Sequence, residues 1–228
     1  MNSKYWHFLF FGDLLAELIA TGAGFNNARY ITKPLLIIIL FSWFTISSLQ
    51  FSPLRYYIAA ALFFSWAGDI FLLMNGAAWF MAGLGSFLAA HILYIFFFLK
   101  VRYQQTVRQP WRGWIIFLIA AYTIALYAFL YPYAGKLQVP VGIYALTIGV
   151  MLVAAVQACS KHLQKAGAYC TAGAVLFVLS DSLLALNKFY HSFPAANVLI
   201  MLTYGLAQFA LIKGSLLYLA AENKSLTK

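Results

Sequence analysis

Gly68-Asp69-Ile70-Phe71-Leu72-Leu73-Met74-Asn75 closes an apolar run that starts near residue 54. Ser180-Asp181-Ser182-Leu183-Leu184-Ala185-Leu186-Asn187 closes another that starts near residue 167. Each run has about 18–24 residues, the length that carries a helix across ~30 Å of hydrocarbon. Each holds one carboxylate where insertion costs about 2.5–3.5 kcal/mol. Both read small–Asp–x–x–Leu–x–x–Asn. A carboxylate in such a run turns toward the interior of a helix bundle or a wet cavity, which makes these stretches parts of a polytopic membrane protein.

The rest of the chain extends that reading. Hydrophobic residues make up 64% and charged residues 9%, against about 25% charged in a soluble domain. Too little polar surface exists to cover a water-facing globule. Spans are expected near 5–22, 33–50, 54–74, 78–99, 113–131, 139–158, 167–187 and 196–219. All six prolines, from Pro34 to Pro194, then fall at or beside expected ends, where the helix tolerates them. The fold class is all-α, with about eight transmembrane helices in a single domain over 1–228. The matched Asp segments in spans three and seven suggest two parallel four-helix halves. A fainter echo pairs Phe87-x-x-Ala90-His91 with Tyr204-x-x-Ala207-Gln208.

The net charge of +10 does not point to nucleic acid, because the basic residues lie between spans. Arg102, Arg108 and Arg112 flank one loop, and Lys161 and Lys165 another. With eight spans, ten of the fifteen Lys and Arg fall on the side of the termini and four on the other, Lys213 lying within the last span. The positive-inside rule then puts both termini in the cytoplasm, with the bacterial inner membrane as the expected location. The first run, although interrupted by Asp13 and Glu17, reads as a retained helix rather than a signal peptide. Cys159 and Cys170 have no metal-site spacing and form no disulfide scaffold.

Four of the five acidic residues, Asp13, Glu17, Asp69 and Asp181, lie inside expected spans. At 1.5 Å per residue, Asp69 and Asp181 sit at matched depths, ~21–23 Å from the cytoplasmic face. Two acids facing one cavity resist ionising together, so one keeps a proton for general acid chemistry. Small residues share their stripes: Ser65 and Gly76 with Asp69, Ala174 and Ala185 with Asp181. The plainer alternative is that each Asp only bonds a neighbouring helix. Asp13 and Glu17, four residues apart on one helix face, extend the cavity or form a proton path, or else pair with Lys213 or sit at the interface, and their role stays open.

His91, with Tyr94 one turn on, is placed mid-membrane together with Gln208. Each either orients a substrate or bonds between helices. No donor set accompanies His91, so no metal is expected. Lys33, in a Lys33-Pro34 step that opens the second span, either holds a phosphate or snorkels to the interface, and Lys188 admits the same two readings.

Ile31-Thr32-Lys33-Pro34-Leu35, Phe64-Ser65-Trp66-Ala67-Gly68-Asp69, Phe87-x-x-Ala90-His91-x-x-Tyr94 and Ser180-Asp181-x-x-Leu184-Ala185 together resemble the YhhN-like family, in consistent order from about residue 29 to 212. The resemblance implies a lysoplasmalogenase-type membrane hydrolase that needs no cofactor or metal. It implies a 1-alkenyl glycerophosphoethanolamine or glycerophosphocholine substrate, reached from the lipid bilayer, and catalytic roles for Asp69 and Asp181. The reaction would be acid hydrolysis of a vinyl ether. Asn75, Asn187 and Tyr204 are expected to position water or glycerol hydroxyls, and Lys33 to hold the phosphate. A proton-coupled transporter of lipids or small molecules also fits buried acids in a repeated bundle. So does a structural lipid-binding protein.

Overall fold

The computed structural model describes residues 3–104, 111–158 and 164–226. Arg108, Pro110, Cys159 and Lys161 lie outside the described residues. Among the described residues eight helices follow one another: α1 (Ser3–Gly22), α2 (Asn26–Ser48), α3 (Arg55–Leu73), α4 (Ala77–Gln104), α5 (Gly113–Leu130), α6 (Gln138–Ala158), α7 (Gln164–Ala185) and α8 (Ala196–Leu226). Two short 3₁₀ turns link α5 to α6, and a π-helical turn, Leu186–Tyr190, ends α7. The protein is an all-α polytopic membrane protein. Seven helices among the described residues, α2 to α8, are long and apolar enough to cross a membrane. Lys4, Asp13 and Glu17 dilute the apolarity of α1.

The surface is that of a body in lipid. Phe8, Phe117, Trp114, Ile124 and Val139 point outward, Phe117 at 71% exposure. In α5 only Leu130 is buried. Where lipid is as apolar as the core, helices associate through close packing rather than through the hydrophobic effect. Glycines provide it: a Cβ on Gly68 would lie 2.7 Å from the Phe87 ring, and one on Gly173 would lie 2.9 Å from the Ala207 carbonyl. These contacts draw α3 onto α4 and α7 onto α8. The two pairs are joined as α4 packs on α6 and α8 packs on α1 and α2.

One boundary differs from expectation in a way that matters for the site. α2 starts at Asn26, not near residue 33, so Lys33 and Pro34 lie inside the helix rather than at its opening. Pro34 cannot donate to the carbonyl of Tyr30 one turn back. The first two turns, with Asn26, Arg29 and Thr32, extend the helix beyond the apolar stretch.

Candidate active site

Asp69 and Asp181 line one cavity of about 430 Å³. α3 presents Asp69 four residues before its end and α7 presents Asp181 four residues before its own. The wall is completed by Lys33 and Arg29 of α2, Asn75 after α3, Lys188 of the π turn, and Asn197 and Tyr204 of α8. Phe87 and Leu184 supply apolar wall. The cavity thus lies where the ends of α3 and α7 meet the starts of α2 and α8.

The two carboxyls have different surroundings. Asp69 is 1% exposed. Its Oδ1 lies 3.4 Å from Lys33 Nζ, and its Oδ2 accepts a hydrogen bond of 2.6 Å from the Tyr204 hydroxyl. Tyr204 is held in turn: Gln208 Nε2 donates to its oxygen at 3.4 Å, and Tyr94 donates to Gln208 Oε1 at 3.1 Å. Asp181 accepts one hydrogen bond, 2.6 Å from the Tyr144 hydroxyl, and has no ion-pair partner among the described residues. Tyr144 stands in α6 near the place of Lys33 in α2, the seventh residue against the eighth. A neutral hydroxyl therefore meets the second Asp where an ammonium meets the first.

Two smaller cavities adjoin. One of about 240 Å³ shares Arg29, Leu72 and Asn75 with the main cavity and adds Asn26 and Tyr30. The other, about 50 Å³, lies on the far side of Asp181 between α5, α6 and α7. It is lined by Leu126, Val141, Ala145, Ile148 and Val178, and the Tyr122 hydroxyl closes one wall on Ser182 Oγ at 2.8 Å. Asp181 is therefore a partition between a polar chamber and an apolar slot.

Of the residues singled out from the sequence, Lys33, Asn75, Asp69, Asp181, Lys188 and Tyr204 meet at the main cavity. His91, Tyr94, Gln208 and Asn187 do not line it. Tyr94 and Gln208 stand behind Tyr204. His91 is fully buried against Tyr144 and Phe177, its ring nitrogens without hydrogen-bond partners among the described residues. Asn187 donates to Asn197 Oδ1 at 3.4 Å, so Asn197 takes the wall position expected of Asn187. Glu17 pairs with Arg29 at 3.2 Å rather than with Lys213, whose Nζ lies 3.4 Å from His7 Nε2. Asp13 Oδ2 is buried without a hydrogen-bond partner among the described residues. Arg29, Tyr144 and Asn197 were not recognised from the sequence. Arg29 had a usable signal, lying four residues before Lys33 on one helix face.

The YhhN family model matches residues 28–215, which hold every residue of the main cavity. The chain belongs to the YhhN family. The match begins within the first turn of α2 and leaves out α1. The chain is 32% identical over 155 residues to "Lysoplasmalogenase TMEM86A" of Homo sapiens, covering 66% of this chain and 61% of the relative. It is 30% identical over 166 residues to "Lysoplasmalogenase" of Mycobacterium tuberculosis, 70% of this chain and 60% of that one. With "Lysoplasmalogenase TMEM86B" of Homo sapiens it shares 31% over 175 residues, 77% and 69% respectively. The chain thus aligns with about three fifths of the length of the first two relatives. No solved structure matches.

Proposed function

We propose that this chain is a membrane hydrolase that cleaves the vinyl ether bond of lysoplasmalogens, giving a fatty aldehyde and a glycerophospho-base. The observation that carries the reading is the convergence of Asp69 and Asp181 on one cavity, with an apolar slot beyond Asp181. Relatives named lysoplasmalogenase support the choice of substrate.

The asymmetry of the pair supports a division of roles. Asp69, facing an ammonium and accepting from Tyr204, is arranged as the carboxylate. Asp181, without a cation, is arranged as the proton donor. Asp181 gives its proton to the β-carbon, the double-bond electron pair forms the C–H bond, and an oxocarbenium ion results. Asp69 faces that positive charge, as one carboxylate does in glycosidases. Water adds to the α-carbon and its released proton goes to Asp69. The hemiacetal hydroxyl then returns a proton to Asp181 while the bond to the glycerol oxygen breaks. Asp69 protonates that oxygen, and both acids are restored. One water is consumed.

The polar chamber receives the glycerophospho part, with Lys33 near its phosphate and Asn75 and Asn197 near its hydroxyls. The slot between α5, α6 and α7 receives the first carbons of the chain. We further read α1 as an eighth span, since its outward residues Phe8, Leu9, Leu15 and Ile19 suit lipid. Both termini then lie in the cytoplasm of a bacterial inner membrane, and the whole chain is one domain.

The deciding experiment incubates purified protein in detergent with a 1-alkenyl lysophospholipid and reads aldehyde and glycerophospho-base by mass spectrometry. Equal amounts of the two products are expected from the wild type. Asp69→Asn and Asp181→Asn are each expected to lower kcat by about 10²-fold or more. Near-full activity in either variant would remove that residue from the reaction.

A further inference from the structure

Glu17 is the most completely enclosed carboxylate outside the proposed acid pair, at 0% exposure. Its Oε1 accepts from Thr21 Oγ1 at 3.0 Å and from Arg29 Nε at 3.2 Å, and its Oε2 accepts from Thr32 Oγ1. Both oxygens are therefore occupied by groups of α1 and α2. This arrangement fixes Arg29, a long side chain that is otherwise costly in entropy to hold in one rotamer. Arg29 lines both the main cavity and the adjoining 240 Å³ cavity.

A guanidinium carries five N–H donors in a planar fork. The bond to Glu17 uses the one on Nε. The remaining donors match a phosphodiester, which Arg grips in two-point fashion and Lys only as a point charge. Charge counting agrees. Arg29, Lys33 and Lys188 bring three positive charges to the main cavity, and Lys188 reaches it over the Phe80 ring at 4.9 Å. Glu17 and Asp69 supply two negative charges, and Asp181 none while it holds its proton. One positive charge is left over to meet the negative charge of the phosphodiester, the ammonium of the base lying outside this count.

We infer that Arg29, positioned by Glu17, is the residue that grips the phosphodiester of the substrate head group. Lys33, 3.4 Å from Asp69 Oδ1, pairs with that carboxylate and flanks the phosphate rather than gripping it. The inference rests on the hydrolase reading for its substrate, but its geometry does not depend on cleavage.

Two measurements test it on the full chain in detergent. The first compares KM and kcat for a 1-alkenyl glycerophosphocholine and for the 1-alkenylglycerol that lacks phosphate. Arg29→Gln is expected to raise KM for the phosphodiester by about tenfold or more, with kcat within about threefold. KM for the alkenylglycerol should stay within about twofold. Glu17→Gln is expected to move KM in the same direction, because it releases Arg29 from its position. Arg29→Lys keeps the charge and the partner but loses the fork, and is expected to fall between wild type and Arg29→Gln. Equal changes on the two substrates would overturn the assignment and leave the Glu17–Arg29 pair a staple between α1 and α2.

The second measurement is equilibrium binding of the non-cleavable 1-O-alkyl glycerophosphocholine and of the matching 1-O-alkylglycerol. Weaker binding of the phosphodiester alone in Arg29→Gln supports the anion site even if wild type cleaves no vinyl ether. In that case the hydrolase reading fails and the site stands. Unchanged discrimination between the two ligands would remove the anion site, whatever the activity.

Discussion

The Tyr204 hydroxyl of α8 donates to Asp69 of α3 at 2.6 Å, and that bond ends a line running from Tyr94 through Gln208 to the cavity wall. All four side chains are buried. In such surroundings each member must be satisfied, and a satisfied network fixes one geometry. The carboxylate of Asp69 is thereby aimed from two sides, by Lys33 and by Tyr204.

Removing the Tyr204 oxygen should therefore loosen Asp69 without removing it. Tyr204→Phe is expected to lower kcat by about tenfold while KM changes by less than about threefold, a loss comparable to one charge-assisted hydrogen bond. Gln208→Leu should show a smaller effect of the same kind, since Tyr204 would keep Asp69 but lose its own support. Steady-state kinetics on both variants checks this, and a change in KM alone would place Tyr204 on the substrate instead.

The proposed route leaves isotopic marks. In D₂O, the aldehyde is expected to carry one deuterium on the carbon next to the carbonyl, because Asp181 exchanges its proton with solvent and delivers it there. In water enriched in oxygen-18, the label should enter the aldehyde and not the glycerol hydroxyl, because water attacks the α-carbon. Mass spectrometry of the products, read early and against an aldehyde control for exchange, decides both. Label in the glycerol would mean that a different carbon–oxygen bond breaks.

How far the sequence spoke depends on which physics each feature uses. Spans are legible because lipid demands apolar length, and the Asp69 and Asp181 segments because a carboxylate there is anomalous. The start of α2 was hidden, since Asn26, Arg29 and Thr32 read as loop when they are polar because they serve Glu17 and the cavities. Helical stripes brought His91, Tyr94 and Gln208 toward the interior but could not separate the cavity wall from the packing behind it. Tyr144 carried no signal at all, being one of 15 tyrosines in an aromatic-rich chain. Its pairing with Asp181 needs α6 to be placed in space.

The Lys33–Asp69 pair is nearly closed to solvent, at 8% and 2% side-chain exposure. Removing one partner strands the other charge, which costs about 3–5 kcal/mol in buried pairs. Lys33→Met should therefore lower stability by a few kcal/mol and abolish most turnover. The double variant Lys33→Met with Asp69→Asn, lacking both charges, should regain much of the stability and none of the activity. Thermal unfolding in detergent compares them. Additive losses in the double variant would show that the two side chains do not act as a pair.

The apolar slot beyond Asp181 sets the last expectation. Ala145 of α6 and Leu126 of α5 both line it, and the Tyr122 hydroxyl bridges α5 to Ser182 of α7. Because α5 is exposed along nearly all its length, a larger side chain at 145 has room to form without disrupting the core. If the carbons next to the vinyl ether occupy the slot, Ala145→Phe blocks them and not the head group. Turnover of a long-chain 1-alkenyl substrate should then fall by about tenfold or more, as burial of a few methylenes at ~0.8 kcal/mol each is lost. A propenyl analogue, whose chain ends before the blocked space, should be cleaved at close to the wild-type rate. The ratio of kcat/KM for the two substrates measures the slot directly. An unchanged ratio would send the chain elsewhere, out of the main cavity rather than past Asp181.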